Sequence, residues 1–269
     1  MLRYVLFWLA FGTIGRLPTR FLYTAFGIVS EITYIVAART RQEVWNNLRH
    51  VVPPGTPKRV TRRMARQIFR NVALYYVDLA RMPYTDTDHL YHERMEAQGV
   101  HENLFPAVER GKGVIMLGAH CGNPELVGQA LLSVGISVIA LTEPLDPPQL
   151  SRLLDRVRSS RGHDFCPVNI GNVKRVMKQL RSGGVVALMG DRDIHGPRQR
   201  LPFFGVDTWM PTGPIELAIR TGATVIPCFS ARKDDYVFEG RMDAPLEWKT
   251  TGDFQTDVRA GALAFLNRL

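Results

Sequence analysis

The chain has 269 residues, 45% of them hydrophobic and 22% charged, a balance that excludes a disordered chain and leaves one large α/β domain or two small ones. Its formal net charge of +9 points to an anionic partner: a phospholipid surface, a phosphate-bearing substrate or nucleic acid. The three scattered cysteines, Cys121, Cys166 and Cys228, exclude a disulfide framework and fit a reducing compartment.

Residues 1–38 carry only Arg3, Arg16, Arg20 and Glu31 as charges. The longest uncharged runs, 4–15 and 21–30, hold 12 and 10 residues. A spanning helix needs about 18 or more apolar residues in a row. Two short apolar helices lying in the membrane interface fit these lengths better. The plainer alternative packs the same helices on the domain. No small-residue cleavage pattern follows the stretch, which argues against a signal peptide. The organisation expected is a membrane-associating helical segment over 1–38 and a domain over 39–269.

Between Arg39 and Arg70 lie nine basic residues and one acid, Glu43. A basic segment behind an apolar one suits an anionic leaflet, where each surface Lys or Arg contributes about 1 kcal/mol. A solvated helix face is the bland alternative. Nucleic acid is not expected as a partner, because it gives the apolar stretch no role. Pro53-Pro54-Gly55 and residues 83–88 read as loops.

From residue 111 short apolar runs alternate with amphipathic stretches. Val114 to Leu117 reads as a buried strand, and Asn123-Pro124 as a helix start, N-cap followed by first-turn proline. Val127, Ala130, Leu131 and Val134 keep helical spacing. Further strands are expected over 136–141, 185–189, 224–230 and 235–242, and helices over 148–160, 171–182, 213–221 and 255–268. This alternation predicts an α/β fold, a central, mostly parallel twisted sheet flanked by helices.

Sites in such sheets sit at the carboxyl ends of strands. Three polar clusters fall there: His120 to Glu125, then Glu143, then Asp191-Arg192-Asp193. A histidine base needs a group that fixes its tautomer and stabilises the imidazolium. Glu125, five residues on across a strand-to-helix turn, is expected to be that group. The helix N-terminus adds N–H groups suited to an oxyanion or phosphate. Taken alone, the pair also fits a histidine that merely caps a helix.

The stretch from Gly118 to Glu125 resembles the His-x4-Asp/Glu motif of the lysophospholipid acyltransferase superfamily. Thr142-Glu143-Pro144, Arg158 with Arg161-Gly162, Gly190-Asp191-Arg192-Asp193, Pro202-Phe203-Phe204-Gly205, Met210-Pro211-Thr212-Gly213-Pro214 and Ile226-Pro227 follow in order. Over roughly 35–250 these blocks resemble the bacterial lipid A biosynthesis (lauroyl/myristoyl) acyltransferases and the phosphatidylinositol mannoside acyltransferases.

The resemblance implies an O-acyltransferase. Such an enzyme moves a fatty acyl chain from acyl-CoA or acyl carrier protein to a hydroxyl of a membrane glycolipid or phospholipid. No covalent intermediate, cofactor or metal is implied. His120 would be the general base and Glu125 its orienting partner. Glu143, Arg158, Asp191, Arg192, Asp193, Phe204 and Gly205 would contact substrate. The implied location is the cytoplasmic face of the cell membrane, peripheral or single-span, with membrane lipids as partners. The family pattern continues into a further helix with a Pro-x-x-Trp block, so a truncated C-terminus is expected at Leu269.

Other readings of the residues remain. Asp191, Asp193, His195 and His120 could ligate a metal in a lipid or phosphate ester hydrolase. Asp191 and Asp193 could instead form a structural ion pair with Arg192. The apolar helices and basic segment could serve a non-catalytic lipid-binding protein. Cys121 is expected to be a buried, inert thiol, because neighbours in an extended segment point to opposite sides.

Overall fold

A computed structural model describes residues 11–192 and 196–269. Residues 11–14 are helical, and three helices follow: α1 (Thr19–Val36), α2 (Ala38–Val51) and α3 (Lys58–Arg81). The basic segment is thus helical, and the Pro53-Pro54-Gly55 loop separates α2 from α3. Leu22 and Tyr23 of α1 pack on Leu74 and Val77 of α3. Tyr34 packs on Phe69, ring edge to ring face. Gly27 faces the end of the Arg70 side chain, whose guanidinium would lie 2.3 Å from a Cβ there and would have to shift.

The rest alternates as expected: α4 (Thr87–Glu93), β1 (Met95–Gln98), α5 (Phe105–Glu109), β2 (Val114–Gly118), α6 (Pro124–Ala130), β3 (Val138–Thr142), α7 (Pro148–Arg158), β4 (Asp164–Pro167), α8 (Ile170–Arg181) and β5 (Val185–Met189). Then come β6 (Arg198–Phe203), β7 (Val206–Pro211), α9 (Gly213–Thr221), β8 (Thr224–Arg232), β9 (Phe238–Met242) and α10 (Phe254–Leu266). Seven strands form one sheet in the order β1-β9-β8-β2-β5-β3-β4. β8, β2, β5, β3 and β4 are parallel, whereas β9 runs antiparallel to β8 and β1 follows β9. The mostly parallel α/β sheet read from the sequence is therefore present.

Alternation in β2 feeds two cores. Ile115 and Leu117 pack with Val186, Leu188, Ile215, Val225 and Phe265 on one face. Val114 and Met116 pack with Leu104, Leu131, Val138 and Ile226 on the other. Burial on both faces is why these strands read as unbroken apolar runs.

Several elements differ from the expectation. The helix after Asn123 continues from Leu131 to Val134 only as a 3-10 turn. The 83–88 loop is short, because Asp86 caps α4 by accepting from the N–H groups of Asp88 and His89. β1 and β4 have four residues each, too few for a periodic signal. The β6–β7 hairpin stands as a separate two-stranded sheet. Among the described residues no single helix is long and apolar enough to cross a membrane; α1 and α2 pass only as a pair bent by 90°.

Candidate active site

The site follows from strand register. β2 and β5 are parallel neighbours with Gly118 opposite Met189, so the residues two places beyond this pair, His120 and Asp191, stand side by side. Asp191 accepts from the His120 backbone N–H through Oδ2 at 2.8 Å, and its Oδ1 lies 2.8 Å from the ring Nδ1. A carboxylate can only accept, so the neutral ring carries its proton on Nδ1 and leaves the Nε2 lone pair open. The His120 side chain is 47% exposed and that of Asp191 19%.

The charges reinforce one another. The Asp191 hydrogen bond chiefly lifts the His120 pKa above the usual imidazole value; desolvation and Arg192 oppose this, and Glu125 adds to it. Burial works to raise the Asp191 carboxyl. The ring and backbone donors of His120 outweigh it and hold that carboxyl below the ordinary range.

Glu125 is not the partner of the His120 ring, which corrects the sequence expectation. Its carboxylate accepts a fork from Arg158: Nε at 3.0 Å and Nη2 at 2.9 Å. Both side chains are largely buried. Arg158 Nη2 also donates to the Tyr75 hydroxyl at 3.3 Å, and Thr142 donates to Asp155 beside it at 3.0 Å. Burial, then the Glu125 charge, pushes the Tyr75 phenol well up. The Arg158 pKa lies above its usual value: desolvation opposes the charge, and Glu125 and Tyr75 more than restore it. The cluster ties α6, α7, α3 and β3 together beside the His120 turn.

Glu143, just past β3, lies 3.5 Å from Arg192 Nη1, so Arg192 faces Glu143 across the edge of the sheet. Phe204 and Gly205 form the two-residue turn between Phe203 and Val206, both with positive φ, 48° and 77°. They are the tip of the β6–β7 hairpin, and Phe204 is exposed. Asp193 and His195 lie outside the described residues. Among the described residues no group of three or more His, Cys, Asp or Glu side chains could hold a metal ion. Cys121 is exposed rather than buried as expected.

The turn that carries His120 is held from both sides. Gly122 has φ 61°, and a Cβ there would lie 2.4 Å from the Ser230 carbonyl oxygen. Ser230 Oγ donates to the Cys121 carbonyl at 2.7 Å. Asn123 caps α6 by accepting from the Leu126 N–H at 3.0 Å, so that helix N–H is already occupied. Its amide donates to Asp78 Oδ2 at 2.9 Å. Asp78 also accepts from Tyr23 and pairs with Arg232; the side chains of both ions are 3% exposed.

The sequence reading named none of Asp78, Tyr75, Asn123 and Arg232 as site residues. Asp78 did carry a signal. It is the only acid in α3 and sits on the buried face with Leu74 and Val77, where a carboxylate requires a partner.

The fold and site define an α/β protein with a half-exposed imidazole bonded to a carboxylate at the carboxyl edge of a mostly parallel sheet. The family model described as bacterial lipid A biosynthesis acyltransferase matches residues 1–264, and the chain belongs to that family. The chain is 28% identical over 191 residues to the phosphatidylinositol mannoside acyltransferase of Mycolicibacterium smegmatis, covering 69% of this chain and 61% of that protein. It is 29% identical over 156 residues to a Mycobacterium tuberculosis protein of the same name, covering 57% and 49%. The chain therefore spans about half to three-fifths of the curated relatives it matches.

Proposed function

We propose that this protein transfers a fatty acyl group from an acyl thioester to a hydroxyl of a membrane glycolipid, with His120 as the general base. The observation that carries the reading is the 2.8 Å contact between His120 Nδ1 and Asp191, which orients the other ring nitrogen toward an incoming hydroxyl. In this reading Nε2 takes the acceptor's proton as its oxygen attacks the thioester carbonyl. The C–S bond then breaks, and the leaving thiolate takes the proton back from the imidazolium. Asp191 holds the tautomer and offsets the charge that forms on the ring. No covalent acyl-enzyme is required.

The relatives' name favours a mannosylated phosphatidylinositol as acceptor, and acyl-CoA or acyl carrier protein as donor suits the basic chain. Arg192 stands exposed at the sheet edge, where it would meet donor or acceptor phosphates; Glu143 tethers it there. Phe204 and Gly205 would border the lipid at the hairpin tip.

We infer peripheral attachment to the cytoplasmic face of the membrane. Phe21, Ile28, Ile32 and Ile35 on α1, and Val60, Met64, Ile68 and Val72 on α3, are exposed apolar side chains. Arginines at 59, 62, 63 and 66 share α3 with them. Apolar side chains beside arginines suit an anionic bilayer surface.

The test is to incubate the protein in vesicles with radiolabelled palmitoyl-CoA and a host lipid extract, beside a His120→Ala variant. A labelled glycolipid made only by the wild type is the expected result. Equal product from both proteins would remove His120 as base.

A further inference from the structure

The turn from His120 to Asn123 has no regular secondary structure of its own. Its shape is set by what grips it. On one side lies β8, whose Ser230 holds the Cys121 carbonyl and whose backbone lies against Gly122. On the other lies α3, whose Asp78 reaches Asn123 at 2.9 Å. Arg232, two residues beyond Ser230 on the same strand, pairs with Asp78 and closes the ring of contacts. The elements that grip the turn are thus bonded to one another behind it.

The Asp78–Arg232 pair makes poor sense as a device for stability alone. Burying two charges costs more than apolar side chains of similar volume would. Arg232 shares its guanidinium with the Asp235 carbonyl at 2.9 Å and lies over the Phe238 ring at 4.5 Å, so its position is over-determined. Tyr23 supplies Asp78 with a further donor from α1, and its phenol is pushed up to about 12 by burial and by the Asp78 charge, so it stays a donor. Asp78 thus holds an acceptor at a fixed point. The group that uses this point and belongs to the catalytic turn is the Asn123 amide.

We propose that Asp78 is a positioning residue for His120: through Asn123, and locked by Arg232, it fixes the turn so that both the backbone N–H and the ring of His120 meet Asp191. The inference rests on the reading of His120 as the base. The consequence is specific. If the turn relaxes away from α3, the paired contacts at 2.8 Å to Asp191 cannot both persist. A displacement of about 1 Å in a reacting group can cost on the order of a hundredfold in rate.

The experiment compares wild type, Asn123→Ser and Asp78→Asn by NMR titration of the His120 ring, assigned from a His120→Gln spectrum. Acyl-transfer pH profiles are measured in parallel. The charged groups acting on that ring are Asp191, Arg192 and Glu125, and none is altered. Serine keeps the α6 cap but cannot reach Asp78, so Asn123→Ser separates the tether from the cap.

The expected result for Asn123→Ser is a folded protein whose His120 pKa falls toward the ordinary imidazole value. Its kcat should drop about tenfold or more while KM for the thioester stays unchanged. Asp78→Asn should do the same; if it fails to fold, Asn123→Ser decides. A folded Asn123→Ser whose ring titrates as in wild type overturns the proposal. A ring that shifts as expected in a wild-type background that transfers no acyl group supports the positioning and overturns the acyl-transfer reading instead.

Discussion

Asp191 meets His120 twice, once at the backbone N–H and once at the ring, each at 2.8 Å. One carboxylate therefore fixes both where the histidine sits and which nitrogen carries its proton. This relationship sets the first prediction. A general base works only when neutral, so activity should rise with pH through the His120 pKa, which lies above the ordinary value of about 6.5. Asp191→Asn removes the charge, so that limb should move to lower pH. The amide can also favour the wrong tautomer, which costs about a thousandfold or more in kcat. A pH–rate profile of the variant checks both. An unmoved limb would separate Asp191 from the titration.

The same pair has opposite signs in stability. The raised His120 pKa contributes stability below its unfolded pKa, and that contribution is lost as pH rises through the folded value. The lowered Asp191 pKa contributes above its unfolded value of about 3.9 and is lost as pH falls through the folded one.

Arg158 and Glu125 form a largely buried fork, so removing one partner should cost about 3 kcal/mol. Arg158→Met leaves Glu125 facing Tyr75 and Asp155 without its cation. Glu125→Leu combined with Arg158→Met should recover part of the loss, because no lone charge is then buried. Urea denaturation of the three variants gives the coupling. Additive losses in the double variant would mean that the two side chains act separately.

His163 is buried, and neither motif nor spacing marked it in the sequence. Its Nδ1 accepts from the Val138 N–H at 3.2 Å, and its Nε2 lies 2.8 Å from the Gly128 carbonyl, which only an N–H can use. Burial lowers its pKa, so the folded protein holds it neutral. The unfolded chain then binds the extra proton first as pH falls. The contribution is complete above about pH 6.5 and is lost as pH falls from there toward the folded pKa. Between pH 7.5 and 5 the melting temperature should fall, and His163→Gln should flatten that slope whatever its own offset. Equal slopes would remove His163 as the titrating group.

What the residues revealed, and what they hid, follows from range. The β2–turn–α6 unit was legible because its signals are local: a buried apolar run, then Asn123 and Pro124. The partner of His120 was not. Asp191 lies 71 residues away, and the contact exists because β5 inserts between β2 and β3. Alternating strands and helices do not specify that order. Nearby Glu125 satisfied the chemical requirement on spacing alone, but Arg158, a stronger partner from α7, takes its carboxylate. The exposed face of α3 was half legible: its charge was plain, whereas its apolar side chains at 60, 64, 68 and 72 are interleaved with arginines and blur into the charge run.

That interleaving leads to the last prediction. On α3 the exposed Val60, Met64, Ile68 and Val72 recur every four residues, which places them along one stripe of the helix. Exposed Ile28, Ile32 and Ile35 lie on α1, which packs along α3. Inserting one such side chain into a bilayer interface is worth about 1.5 kcal/mol, or roughly tenfold in partitioning. The arginines add a salt-dependent attraction to anionic lipid. Ile32→Glu and Ile68→Glu should each weaken binding to phosphatidylglycerol-containing vesicles by about tenfold or more, with no change in melting temperature, since neither side chain is in the core. High salt should weaken wild-type binding further, whereas neutral vesicles should bind poorly from the start. Vesicle co-sedimentation measures all three. Unchanged binding in both glutamate variants would mean that this face is not what meets the lipid.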